Sequence, residues 1–351
     1  MSDHAQTPPL SREEILALPG RQRLPYVEQI RVIYPRWNAI LDEIARCHER
    51  QPYAAEPPCL LLIGPTGAGK STLLASYAQR YPRTISMRSM NIPILCATIP
   101  AKATIKSLLT ELLDSLGDPR AASGTIDGMT LRLKGFIKDC GVQVFILDEL
   151  QHFVDQESQK ILLNVSNWLK RLIKETKVAC VLVGLSGEAE QVVNANPQLA
   201  RLFPDPHILT PFTWDESQPD TVKEFRTFLA QLEALLPLRG PSQLATRERA
   251  WRCFVACNGV TAYLMALIRQ ATEDALLSGR ESLDDVLLAQ AFRKRLAGER
   301  RGIPNPFEGE LPLLKRSDVP SPSLPSSHPT TGRRGRTRQP RKLTVRDVIR
   351  S

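Results

Sequence analysis

Cys59-Leu60-Leu61-Leu62-Ile63-Gly64-Pro65-Thr66-Gly67-Ala68-Gly69-Lys70-Ser71-Thr72 is the stretch that decides the fold. Five apolar residues in a row read as a short strand buried on both faces, the habit of a parallel sheet. The run that follows matches the P-loop pattern in full. Its glycines let the backbone wrap closely, so that successive N–H groups point at phosphate oxygens. The helix expected over 71–81 adds its positive N-terminal end. The loop is therefore expected to bind ATP. Gly64, Pro65, Thr66, Gly67, Ala68, Gly69, Lys70, Ser71 and Thr72 form the cradle, Lys70 reaches the β- and γ-phosphates, and Ser71 holds Mg²⁺.

Downstream, Val144-Phe145-Ile146-Leu147-Asp148-Glu149 is a second buried strand that ends on two acids. A carboxylate at such a strand end holds the metal ion, and a second one beside it polarises the attacking water. Asp148 takes the first role and Glu149 the second. A third apolar run, 178–183, leads into Gly184-Leu185-Ser186-Gly187, where Ser186 is the candidate to contact the γ-phosphate and the water. Arg201 precedes the short strand expected over 207–210. From that position it can reach the γ-phosphate of a neighbouring subunit as an arginine finger. His152, just after the acidic pair, reads as structural. With a further strand at 92–98 and helices at 103–116, 129–140 and 161–173, strands alternate with helices. The fold class expected is α/β, a P-loop NTPase with a three-layer core and a parallel sheet.

The helical pattern of 29–49 leads into this core, which spans 26–211. After Pro211 the periodicity is helical throughout, giving a small all-α lid over 212–302. Residues 1–25 are polar with scattered prolines and read as an N-terminal arm. Residues 303–351 are rich in Pro, Ser and Arg and are expected to be a disordered basic tail, with a docking peptide over 342–350. Net charge is +9, and +6 of it lies between Gly302 and Ser351, so the folded body is nearly balanced. Nucleic acid or an acidic protein surface is the expected partner of that tail. The seven cysteines lack zinc-ligand spacing and read as reduced core residues. The N-terminus has no basic region followed by an apolar core, and no apolar run approaches the roughly 18 residues of a spanning helix. The expectation is a cytoplasmic protein without membrane contact.

Taken together, these residues resemble the AAA+ branch of P-loop ATPases and, within it, the TniB/TnsC family of transposition ATPases. The resemblance runs over about 20–307. It rests on Arg31-Val32-Ile33-Tyr34-Pro35-Arg36-Trp37, the P-loop, Asp148-Glu149-Leu150-Gln151-His152-Phe153, Val183-Gly184-Leu185 with Ser186-Gly187-Glu188-Ala189, Leu199-Ala200-Arg201-Leu202-Phe203, and Asn305-Pro306-Phe307. It implies an ATPase (ATP to ADP and phosphate) that regulates transposition without cutting DNA itself. Such a protein forms a homo-oligomer, a ring or a helical filament, on double-stranded DNA, links a TniQ-like target-selection protein to a DDE transposase, and is disassembled by hydrolysis. Relatives track the DNA backbone with basic and hydroxyl residues, which points to Lys102, Thr104 and Lys106. The lid departs from the AAA+ pattern: Asn258-Gly259-Val260-Thr261-Ala262-Tyr263 offers no arginine, and Arg269 lies two turns later. Competing readings are an AAA+ loader or helper in replication, a nucleotide-gated scaffold with little turnover, and a small-molecule P-loop kinase. The Asp148-Glu149 pair, Arg201 and the long helical C-terminal region weigh against the kinase.

Overall fold

Alternation along each strand sets the layers. In β1 (Cys59–Ile63), Leu60 and Leu62 face one apolar cluster while Cys59, Leu61 and Ile63 face another, and all five are buried. A sheet covered on both faces explains why its strands read as unbroken apolar runs. The computed structural model describes residues 10–86, 90–101, 103–156 and 159–310.

The elements run in the order α1 (Arg12–Ala17), α2 (Leu24–Gln29), α3 (Pro35–Arg50), β1, α4 (Lys70–Ala78), β2 (Thr84–Ile85), β3 (Met90–Asn91), β4 (Ile94–Thr98), α5 (Ile105–Ser115), α6 (Ile126–Asp139) and β5 (Val144–Asp148). There follow α7 (Gln159–Thr176), β6 (Ala179–Gly184), α8 (Glu188–Asn194), α9 (Pro197–Ala200), β7 (His207–Ile208), α10 (Pro219–Leu235), α11 (Arg247–Cys257), α12 (Thr261–Leu277) and α13 (Asp285–Arg295). The main sheet has five strands in the order β4-β5-β6-β1-β7, and every pairing in it is parallel. Ile63 lies beside Gly184 and Thr98 beside Asp148, so the carboxyl ends of the strands form one rim. Ligands of open α/β sheets bind outside that rim.

Helices α3 and α4 cover one face of the sheet, and α5 to α9 cover the other. The first cluster continues without a break into the lid, α10 to α13. Aromatic rings make the joint. Tyr34 meets Phe212 at 5.2 Å and Phe228 edge-on at 5.3 Å between ring centroids, and the Arg36 guanidinium sits 4.8 Å over Phe212. The joint admits only glycine at 259. Its φ is +71°, and a Cβ there would lie 1.9 Å from the Phe212 carbonyl oxygen. Cys253 and Cys257 are buried inside the lid.

Residues 12–25, expected as part of an arm, are helical from 12 to 17 and again from 20 to the end of α2. They are held by one buried cation. Arg23 is 2% exposed and donates to the Pro237 carbonyl at 2.7 Å and to both carboxylate oxygens of Glu281 at 2.9 and 2.5 Å. Glu281 is held below the usual carboxylate range, chiefly by the Arg23 hydrogen bond. At the other end, the body does not close at 302. Phe307 is buried, Asn305 donates to the Ala289 carbonyl at 3.0 Å, and buried Arg252 donates to the carbonyls of Pro306 and Gly309 at 2.6 and 3.1 Å. Irregular backbone held by arginine donors leaves no periodic signal in the sequence. The tail from 311 onward, with its basic run and terminal peptide, lies outside the described residues.

Smaller shifts have local causes. The second long strand begins at Ile94 instead of Ile92, because Ile92 donates to the Cys140 carbonyl and Pro93 accepts from Gln143 and Val144. Helix α6 starts at Ile126, where Thr125 caps the Gly128 amide, three residues before the expected start. Among the described residues, no single helix is long and apolar enough to cross a membrane.

Arg23→Ala removes the Arg23 donor from the Pro237 carbonyl and from the Glu281 carboxylate, which keeps the Arg239 amide at 3.1 Å. Because Glu281 is a third exposed, the expected loss is at the low end for a severed buried pair, about 3 kcal/mol. Chemical denaturation of the full chain measures it, and an unchanged midpoint would mean that this segment is not anchored through Arg23.

Candidate functional site

The loop between β1 and α4 wraps a cavity of about 330 Å³, lined there by Thr66, Gly67, Gly69, Lys70, Ser71 and Thr72. Lys70 is buried, and its ammonium folds back on the loop, donating to the carbonyls of Gly64 at 2.7 Å and Pro65 at 3.1 Å. Burial pulls the Lys70 ammonium below its ordinary range, and the negative charges of Asp148 and Glu149 oppose that pull. Gly67 has φ +78° and faces the lid: a Cβ there would lie 2.9 Å from Val260 Cγ1. In its place the Ala262 amide donates to the Gly67 carbonyl at 3.0 Å. Ala68 is buried beneath the loop.

The two residues assigned to the metal meet. Ser71 Oγ donates to Asp148 Oδ2 at 2.5 Å, and Asp148 Oδ1 accepts from the Glu149 amide at 2.8 Å. A hydroxyl and a carboxylate side by side at the end of the loop are hard oxygen donors, which suit Mg²⁺ beside substrate phosphates. Glu149 leaves the strand with φ +64°, a left-handed conformation that costs a side-chain-bearing residue about 1–2 kcal/mol. The turn sends its side chain to the cavity wall, where Leu185 also lies.

Glu149 does not stand alone there. Gln151 is buried; its side-chain nitrogen donates to Glu149 Oε2, and its oxygen accepts from the Leu185 amide at 3.2 Å. His152 turns its Nδ1 to within 2.6 Å of the Ile99 carbonyl and brings Nε2 to 4.0 Å from Glu149 Oε2. Ser186, expected to reach the phosphate end, is half-buried in the same loop and is not among the residues that line the cavity; Leu185 is. The sequence reading passed over Gln151. Its one signal is position, two residues beyond Glu149 in a 3-10 turn, Leu150–Gln156.

The apolar part of the cavity lining comes from two distant parts of the chain. Ile30, Val32, Tyr34 and Trp37 approach from one side, and Ala262, Met265 and Ala266 of α12 from the other. Arg269 also lines the cavity. Its guanidinium bonds the carbonyls of Glu28 and Ile30 at 3.3 and 3.4 Å and the Glu28 carboxylate at 3.4 Å. Arg269 therefore ties the lid to the lead-in segment, which is a structural use of the charge.

Arg201 lies apart. It is exposed at the end of α9, in a shallow groove with Asn167, Lys170 and Gln198, and is not among the residues lining the cavity. Thr104 is the N-cap of α5, where its hydroxyl accepts from the Ser107 amide at 3.1 Å, and Lys106 is exposed in the first turn. Both follow β4 at the same rim of the sheet as the loop. Lys102 lies outside the described residues.

Solved structures share this architecture. The Aeropyrum pernix ORC2 protein (ADPNP–ADP complexes) is similar with a TM-score of 0.56 at 16% identity over 79% of this chain and 72% of its own. Cdc6p from Pyrobaculum aerophilum gives 0.54 at 15%, over 80% and 74%. The Aeropyrum pernix ORC1 protein in complex with DNA gives 0.52 at 17%, over 82% and 71%. At these identities the likeness shows the fold alone. No curated protein sequence matched the chain. The family model for the bacterial TniB protein matches residues 23–213, more than half of the chain and the whole segment that builds the loop, the acidic pair and Arg201. The chain therefore belongs to the TniB family.

Proposed function

We propose that this chain is an ATP-dependent regulator of DNA transposition. It assembles as an oligomer on double-stranded DNA and links a TniQ-like target-selection protein to a DDE transposase, with ATP hydrolysis controlling disassembly. The observation that carries this reading is the meeting of Ser71, Asp148 and Glu149 beside a complete phosphate-binding loop in a chain of the TniB family. Bound ATP with Mg²⁺ supplies an electrophilic γ-phosphate with part of its charge neutralised. The loop amides and Lys70 hold the phosphates, and Ser71 and Asp148 hold the cation. Glu149 takes a proton from a water whose oxygen bonds to the γ-phosphorus while the bridging oxygen leaves with ADP. Ser186, one residue beyond Leu185 and outside the cavity lining, is kept in this reading as a contact to the γ-phosphate.

Arg201 supports the oligomeric part of the reading. Its exposure outside the cavity of its own chain suits a finger offered to a second copy. DNA is assigned to the rim that carries Thr104 and Lys106, where phosphate contacts need only charge and position; Lys102, the third expected contact, lies outside the described residues. A loader or helper in replication is the second reading, favoured by the shared fold with ORC and Cdc6 proteins. Membership of the TniB family supports transposition over this second reading.

Three measurements test these assignments. Lys70→Ala should weaken binding of a fluorescent ATP analogue by about 10- to 100-fold, the worth of a lost charged hydrogen bond or two, and unchanged affinity would refute the loop assignment. Glu149→Gln should bind the analogue as wild type does while its steady-state phosphate release falls by about 10²–10⁴-fold; wild-type turnover would mean that another group is the base. A labelled DNA duplex followed by fluorescence anisotropy should bind tightly with a non-hydrolysable ATP analogue and weakly with ADP or no nucleotide, in a salt-sensitive way. Equal binding in all three states would assign DNA to the basic tail instead.

A further inference from the structure

We propose that Gln151 is a positioning residue that sets the Glu149 carboxylate at the cavity wall and ties it to the backbone of the loop after β6, so that base and loop move as one unit. The inference rests on Glu149 being the base. Glu149 emerges from β5 in a left-handed conformation, φ +64°, and its side chain has several single bonds about which to swing away from the cavity. The Gln151 amide removes that freedom. Its nitrogen donates to Glu149 Oε2, which leaves Oε1 without a Gln151 partner, and its oxygen accepts from the Leu185 amide at 3.2 Å.

The chemistry demands an amide. A lysine at 151 has no acceptor for the Leu185 N–H, and an ionised carboxylate has no donor for Glu149. Only an amide of this length serves both ends at once. The surroundings are fitted to it. Strand β6 ends on Gly184, where a Cβ would lie 3.0 Å from Gln151 Oε1 and 2.9 Å from the Ala189 Cβ. Gln151 is only 7% exposed, so a lost partner there is not replaced by bulk water. His152 closes the other side, bonded to the Ile99 carbonyl and 4.0 Å from Glu149. The loop that Gln151 grips runs on through Ser186 into α8 and α9 and ends at Arg201, so the arrangement joins the proposed base of one site to the element that carries the proposed finger for another.

The test compares wild type, Gln151→Leu, Gln151→Glu and Glu149→Gln as full-length proteins. Steady-state ATP turnover gives kcat and KM, hydrogen exchange follows the backbone amide of Leu185, and thermal melting reports folding. Gln151→Leu should lose at least tenfold in kcat with KM for ATP within about twofold of wild type, and should expose the Leu185 amide to faster exchange. Gln151→Glu keeps the acceptor and loses the donor, so its Leu185 amide should stay protected while kcat falls as far. That split separates positioning from general loosening, which would move exchange and melting together in both variants. If Gln151→Leu does not fold, Gln151→Glu decides: wild-type kcat in it overturns the proposal. If Gln151→Leu folds and turns over like wild type while Glu149→Gln is inactive, the proposal fails and the base assignment stands. Wild-type turnover in Glu149→Gln removes the base assignment and this inference with it.

Discussion

One backbone hydrogen bond closes the site. The amide of Ala262, in the first turn of the lid helix α12, donates to the carbonyl of Gly67 at the tip of the phosphate-binding loop, at 3.0 Å. It can form only because residue 67 has no Cβ, since a methyl there would press on Val260 and Ala262. Everything that makes the cavity two-sided follows from this contact. The loop alone is a rim on an α/β sheet. With the lid seated on it, the apolar side gains Met265 and Ala266, facing the buried Ile30, Val32, Tyr34 and Trp37 of the lead-in segment. The same contact brings the N-terminus of α12 to a cavity that already receives the N-terminus of α4. Two helix ends of positive sign at one cavity favour an anion there through the backbone itself. This bears on the missing lid arginine: charge attraction at the lid side does not require a side chain when a helix terminus stands in that place.

The seating of the lid depends in turn on features remote from the loop. Phe212, Tyr34 and Phe228 form the hinge block, with Arg36 stacked on it and bonded to Glu224 of α10 at 2.7 Å. Gly259 passes under Phe212 with no room for a side chain. On the far side, Arg23 and Arg269 bind the N-terminal segment to the lid through Glu281, Pro237 and the carbonyls of Glu28 and Ile30. Arg23 does this at a buried position and Arg269 at a half-buried one. Each guanidinium is met by several oxygens, the condition under which a buried guanidinium is tolerated, although the Nε of each has no partner among the described residues.

These facts also explain what could be read in the sequence. The sheet was legible because each of its longer strands is apolar on both faces and because a loop of fixed spacing follows the first. The pairing of Ser71 with Asp148 was legible because strand-end carboxylate and loop hydroxyl are forced to one rim by parallel topology. The lid was legible as helices, but its grip on the loop was not, since it runs through a main-chain amide at Ala262 that any residue but proline would provide. The N-terminal helices were hidden because they are six-residue pieces, with Pro19 between them and Pro25 in the first turn of the second, too short for periodicity. Gln151 was hidden for another reason: a single amide two residues past Glu149 has no pattern, and only the 3-10 turn brings it back to that carboxylate.

Arg201 and Glu149 can be set in one frame. Within a single chain, the cavity gathers the loop, the acidic pair and the lid, yet Arg201 faces solvent on another surface. Between them runs one short stretch: the Leu185 loop, α8 packed on α7 through the Ser166 hydroxyl and the Val192 carbonyl, then Asn196 capping α9 through the Gln198 and Leu199 amides at 2.7 and 3.2 Å. Each joint is a buried or part-buried hydrogen bond, so the stretch resists local bending. A stiff segment gripped at one end by Gln151 and bearing Arg201 at the other has few independent ways to move. In the proposed oligomer, where that end would meet the nucleotide of a second copy, a shift of the base at one site would therefore be accompanied by a shift of the finger at the next. On the proposed reading, disassembly after hydrolysis would then need no separate sensor, because the proposed base and the proposed finger would be coupled through Gln151 and this stretch.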